Sequence, residues 1–328
     1  MSALVSRITK RRSGILGIFG GSAIVGPLAA LLLAIIVFST QSDKFLTGGN
    51  FSLILQQVMV VGTLAIGQTL IILTGGIDLS NGMIMALSSV LMTGFAVRSG
   101  VDPILAIFAG IAIGVLFGVL NGWLVTAIRL PPFIVTLGML NIVFALVRIY
   151  STSTITNLPP VQTLFGNTVS VGGTEITYGS ILMLGLYVIV WFVLRSTAAG
   201  RAVYAVGDNP EAARLAGINT NRILLGVYTV AALSYGIAGL LLVSRTGVGD
   251  PQAGQTGNLD SITAVVLGGT SLLGGRGLIF GTLIGALIVG VFRNGLQLMG
   301  VESNFQVLIT GVLVILAVAV DYLSHRSK

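Results

Sequence analysis

The chain reads as a series of long apolar runs set apart by short polar breaks. A window of about 19 residues picks out apolar stretches at 23–38, 53–73, 83–97, 104–128 and 133–150. They continue at 181–194, 223–243, 262–273, 278–292 and 305–320. Each is a candidate crossing of a lipid bilayer, where a segment must satisfy its own backbone hydrogen bonds. Several runs fall short of the roughly 20 residues of a straight crossing, so one or two are expected to be half-helices or re-entrant segments. The eighth is the weakest of the ten. The pattern predicts an all-α, polytopic transmembrane helical bundle of about ten spans, forming a single domain over residues 1–328.

Composition points the same way. Only 8% of residues are charged and 54% are hydrophobic, with a mean hydropathy of +1.01, against about a quarter charged in soluble domains. A soluble core holding ten such stretches would leave no polar residues to coat its outside, whereas lipid accepts apolar side chains as a surface. The 45 glycines suit helices that associate in lipid by close backbone approach. The absence of cysteine excludes disulfides, thiolate chemistry and Cys-based metal sites. The sole histidine, His325, lies in the polar tail, and no metal site is expected.

The net charge of +7 raises the question of nucleic acid, but the basic residues are scattered between apolar runs, so nucleic acid is not an expected partner. Arg7, Lys10, Arg11 and Arg12 form the only cluster, ahead of the first run. No small-x-small cleavage pattern follows that run, so it reads as a retained first helix with a cytoplasmic N-terminus. With ten spans, 12 of the 17 Lys and Arg residues then fall on the cytoplasmic side. Only Lys44, Arg98, Arg148, Arg245 and Arg293 fall on the other. This bias, which played no part in choosing the spans, predicts that both termini are cytoplasmic.

Two connections are long. Residues 151–178 fall outside, and their Thr168–Thr177 stretch, with Gly172-Gly173 at its centre, reads as a small hairpin. Residues 195–222 fall inside and are the most charged part of the chain. There Asp208 or Asn209 can cap a short helix that starts with Pro210 and Glu211 and that Gly217 can end. Ala212, Ala213 and Ala216 keep that helix slim enough for another protein's groove, although Glu211 and Arg214 are equally an ordinary i, i+3 pair on a solvated helix. Thr74-Gly-Gly-Ile-Asp-Leu-Ser-Asn-Gly82 and Leu267-Gly-Gly-Thr-Ser-Leu-Leu-Gly-Gly275 echo each other as glycine-rich breaks between apolar runs, a known pointer to transport sites. Neither is a phosphate cradle of the G-x-x-x-x-G-K-[ST] kind, because lysine occurs only at 10, 44 and 328.

Three blocks together carry a resemblance that extends over nearly the whole chain. They are Leu73-Thr-Gly-Gly-Ile-Asp-Leu-Ser80, the 200–218 loop, and the run from Leu259 through Leu267-Gly-Gly-Thr-Ser-Leu-Leu-Gly-Gly-Arg-Gly277 to Leu287. The chain resembles permease subunits of ATP-binding-cassette importers, in the family of ribose-type sugar and branched-chain amino acid permeases, and the sugar branch fits better. The likeness implies a coupling loop at Gly200, Arg201, Gly207, Asn209, Glu211, Ala212, Arg214, Leu215 and Gly217. It also implies a second permease copy, two partner ATPase subunits and a soluble sugar-binding protein. ATP and Mg would be used by the partner, this chain would bind no cofactor, and its location would be the bacterial cytoplasmic membrane.

A neutral polyol needs amide and hydroxyl groups along its path more than charges. Gln68, Ser80, Asn81, Asn121, Asn141 and Asn294 are the candidates, with Ser88 and Ser234. Asp78 and Asp260 read first as helix caps and second as gate residues. A gradient-driven carrier is the alternative function, for which paired acids, His or Arg at mid-membrane are expected. A membrane enzyme is a third, lacking any nucleophile system or paired carboxylates in one span.

Overall fold

The computed structural model describes residues 22–309 together with 311, 312 and 315. Among the described residues, seven helices are long and apolar enough to cross a membrane: α1 (Ser22–Gln41), α2 (Gly48–Leu73), α4 (Pro103–Ala127), α5 (Pro132–Tyr150), α6 (Tyr178–Ser196), α9 (Thr220–Thr246) and α11 (Ile279–Leu298). Two shorter apolar helices, α3 (Asn81–Val97) and α10 (Gly257–Leu267), complete the bundle. Two short polar ones, α7 (Ala198–Asp208) and α8 (Pro210–Leu215), lie between α6 and α9. The chain is an all-α, multi-pass membrane protein. The tenth expected span starts as helix at 303–309, and most of it lies outside the described residues, as do the basic cluster at 7–12 and His325.

Local chemistry sets the helix starts. The side chains of Thr47, Asp102, Thr177, Thr197, Asn209 and Asn219 each accept a hydrogen bond from a backbone N–H in the first turn that follows. Pro103, with no N–H to lose, opens α4. The expected hairpin is present: β1 (Thr168–Val171) pairs antiparallel with β2 (Thr174–Thr177) across Gly172-Gly173. It docks on α2, where the Glu175 N–H donates to Ser52 Oγ at 2.7 Å.

Burial divides the bundle into a centre and a lipid-facing shell. In α2, 78% of the spanning window is buried, against 17% in α1 and 22% in α4. The shell helices turn Leu33, Phe108, Ile149 and Ile189 outward, which lipid permits and water would not. On α4, Gly110, Gly114, Gly118 and Gly122 recur every four residues along the buried face. A Cβ at these positions would run into Ser88 and Met92 of α3 or Tyr228 and Ala232 of α9. The apolar face of α4 therefore looks outward, and its glycine stripe brings three backbones together.

Two expectations are corrected. The eighth run, 262–273, is helical only to Leu267, and α10 starts earlier, at Gly257. Residues 268–278 are a glycine-rich break whose Gly269, Gly274 and Gly275 take positive φ, a conformation that ends a helix whatever the hydropathy. The 195–222 loop also holds two helices, not one: α7 precedes α8 and buries Ala202, Val203 and Val206.

Candidate functional site

The two glycine-rich breaks that echo each other in sequence meet in space. The Gly275 N–H donates to Leu73 O at 2.9 Å, tying the end of α2 to the segment after α10. A third segment joins them, because a Cβ on Gly207 would strike Leu73 O and Gly275 N, and one on Gly274 would meet Gly207 O and Gly75. Only glycine allows three backbones to touch in this way. The Tyr204 hydroxyl of α7 adds a bond of 2.9 Å to Gly277 O, and burial pushes its pKa up from the ordinary tyrosine value. The end of α7 is thus seated on both breaks through Leu73, Gly275 and Gly277.

Beyond this knuckle, α8 is short and exposed. Asn209 accepts from the Ala212 N–H at 3.0 Å. Gly217, at φ +85, closes the helix, with the Ile218 N–H donating to Ala213 O at 3.0 Å. Ala213 packs inward, whereas Leu215 is 82% exposed. Glu211 and Arg214 pair at 3.0 Å, both largely in solvent, so the pair itself stabilises little. Gly200 is buried where α7 folds back against the end of α6, against the backbone of Val193 and Leu194, and Arg201 is exposed.

A second cluster sits in the bundle at the start of α3. Asp78 is fully buried, and its Oδ1 accepts from the Ser80 N–H at 2.8 Å and the Ser80 hydroxyl at 2.6 Å. Asn121 of α4 donates to Ser80 Oγ at 3.0 Å. Asn81 donates from one Nδ2 to Gln68 Oε1 of α2 and to Ser261 Oγ of α10, both at 2.8 Å. The Tyr235 hydroxyl of α9 lies beside Asp78 and Asn81. Gln68, Asp78, Ser80, Asn81, Asn121 and Ser261 are all without solvent exposure. This polar lock ties five helices together, and at its edge Gly82 runs against the backbone of Gly254 and Gly257.

The capping expectation for the two acids is corrected. Ser80 is the N-cap of α3 and makes no side-chain cap bond, while Asp78 holds Ser80 itself. Asp260 lies in the first turn of α10, and its Oδ2 accepts from Arg293 of α11 at 3.1 Å. The acid is thus paired with a basic partner, as burial of an ion requires. Arg293 had counted only as a basic residue flanking the 278–292 run, whereas the helix continues past it to Leu298.

That pair borders a cavity of about 280 Å³. Gln57, Arg245, Thr246, Asp250 and Thr256 supply its other polar side chains, and Gly254 and Gly257 also line it. Leu64 and Met85 also line it, each about one helical turn from Gln68 and Asn81 of the lock. Arg245 and Gln57, like Tyr204 and Tyr235, had no motif to mark them.

The remaining candidates lie elsewhere. Asn141 is exposed on α5 and donates to Leu137 O of its own helix. Asn294 donates to Asn50 Oδ1 at 2.9 Å, a buried link between α11 and α2. Ser234 bonds back to Ala231 O, and Ser88 is buried facing the α4 stripe.

Comparison with known proteins gives a consistent result. The family model described as branched-chain amino acid transport system / permease component matches residues 50–318. The fructose import permease protein FrcC of Rhizobium meliloti is 48% identical over 90% of this chain and 84% of its own length. The ribose import permease protein RbsC of Bacillus subtilis is 43% identical over 90% and 92%. The xylose transport system permease protein XylH of Haemophilus influenzae is 32% identical over 92% and 96%. No solved structure matches the chain.

Proposed function

The chain belongs to the branched-chain amino acid transport system / permease component family, and from that premise we propose that it is the membrane-spanning permease subunit of an ATP-driven importer of a monosaccharide. Relatives named for fructose, ribose and xylose support the cargo class. In this reading a soluble binding protein delivers the sugar, a second permease copy completes the pathway, and partner ATPase subunits hydrolyse ATP with Mg. The setting is the bacterial cytoplasmic membrane. Residues 195–222 face the cytoplasm, and 151–178 lie outside.

One observation carries the reading: the exposed, polar α8 is joined through α7 to both breaks of an otherwise apolar bundle. The Gly207 contacts and the Tyr204–Gly277 bond give a partner gripping Glu211, Arg214 and Leu215 a stiff route to Leu73 and to residues 274–277. Leu73 leads through the first break into α3, and residues 274–277 belong to the second break, which follows the end of α10 and leads into α11; Asn81 and Ser261 of the two short helices meet in the lock. A push at α8 would shift both together, as alternating access requires.

The test is reconstitution of the chain with its cognate ATPase subunit and binding protein in proteoliposomes. Glu211→Arg reverses one charge of the exposed pair without touching the bundle. It is expected to cut ATP-dependent uptake about tenfold or more, the size of an ordinary coupling free energy, while the protein inserts normally. Undiminished uptake, or uptake by wild type driven by an ion gradient alone, would reject the proposal.

A further inference from the structure

The cavity above the lock has the make-up of a ligand site in its own right. Its volume of about 280 Å³ lies near the low end of the roughly 300–1,000 Å³ of small-molecule sites, a scale that suits one monosaccharide better than a disaccharide. Its charges balance: Arg245 and Arg293 face Asp250 and Asp260. A neutral ligand leaves that balance undisturbed, while an anionic one would add a third negative charge to a wall that holds two guanidinium groups and two carboxylates.

The polar groups have capacity to spare. Gln57 Oε1 is buried with no hydrogen-bond partner among the described residues, and Arg245 forms no ion pair among them. Arg293 uses Nη1 on Asp260, and a guanidinium has five N–H donors in all. Sugar hydroxyls both donate and accept, so a wall offering fixed guanidinium donors, carboxylate acceptors and an amide matches a polyol. Opposite them, Val58, Val61, Leu242 and Val289 give an apolar surface for the C–H face of the ring. None of the lining residues is aromatic, which keeps the grip weak enough for a ligand that must leave again.

We propose that this cavity is a binding site for one neutral monosaccharide, with Gln57, Arg245 and the Arg293–Asp260 pair as the residues that select it. The inference rests on the transport reading. It adds that the permease recognises the sugar itself, one helical turn from the lock.

The chain has no cysteine, so Ala253→Cys on the cavity lining gives a unique thiol, and Thr246→Cys gives a second, independent one. The full chain in nanodiscs is labelled with a membrane-impermeant maleimide, with D-fructose or D-ribose as probe and sucrose at equal osmolarity as control. Either sugar is expected to slow labelling about tenfold while sucrose does not. Arg245→Met and Gln57→Leu should reduce protection to twofold or less, about the loss of one charge-assisted hydrogen bond, with the unprotected labelling rate unchanged. Equal rates with and without sugar at both thiols would overturn the proposal. Stronger protection by D-glucuronate than by the neutral sugars would overturn its assignment to a neutral ligand. Sugar uptake by the assembled transporter without protection would remove the cavity alone, whereas protection without ATP-dependent uptake would keep the cavity and remove the transport reading.

Discussion

The starts of α3 and α10 lie against each other at Gly82, Gly254 and Gly257, and each carries an acid, yet the two acids live differently. Asp78 is enclosed and held by the hydroxyl and backbone of Ser80, within amide and hydroxyl groups that link five helices. Asp260 faces an arginine across the edge of an open cavity. One acid belongs to an inward-facing network whose partners are all protein. The other belongs to a wall with donors left over. Similar chemistry thus serves as a fastening in one place and as a surface for a guest in the other, and the difference is set by whether the groups are enclosed between helices or open onto a cavity.

Breaking the fastening should cost most. Asn81→Leu strands Gln68 Oε1 in the interior and leaves Ser261 Oγ with only its bond to Asn258 O, a loss expected to lower stability by about 2–3 kcal/mol, read by denaturation in detergent. An unchanged midpoint would mean that the network contributes nothing. The charged pair should matter less to stability and more to transport. Because Arg293 is partly exposed, Arg293→Met is expected to cost about 1–2 kcal/mol. Adding Asp260→Leu should recover most of that without recovering uptake. Recovery of uptake in the double variant would reduce the pair to a structural role. Least of all, Asn141→Ala should stay within about 0.5 kcal/mol of wild type, since Asn141 bonds only within its own helix. A larger change would place α5 in the pathway.

The sequence made the helices legible because lipid rewards long apolar runs without regard to what they touch. The short helix α8 was legible as well, since Asn209, Pro210 and Gly217 act within a few residues of each other. The end of α10 was not. The apolar side chains of Leu272 and Leu273 extend the run, while the positive φ of Gly269 and Gly274 breaks the helix. The helix α7 was hidden because its anchor, Gly207 against Leu73 and Gly275, is a contact between distant segments. For the site, Gln68, Asp78, Ser80, Asn81 and Asn121 stood out as polar residues in apolar surroundings, and the fold gathers all five. Asn141 had the same signature and is left on the surface, because hydropathy does not say which face of a helix turns inward. Arg293 and Arg245 were discounted as flanking charges, and it is the cavity walled by α2, α9, α10 and α11 that gives them a role.

Movement of α8 is expected to reach both short helices through the glycine knuckle, so that the cavity closes as the loop end opens. In the cysteine-free chain, spin-label pairs at Val61 and Ala253 across the cavity, and at Leu130 and Leu273 near the loop end, can be followed in the assembled transporter with and without a non-hydrolysable ATP analogue. Opposite changes are expected, one distance shortening as the other lengthens, with both changes lost in Gly207→Val. Two distances that stay fixed, or that change alike in wild type and Gly207→Val, would contradict this coupling.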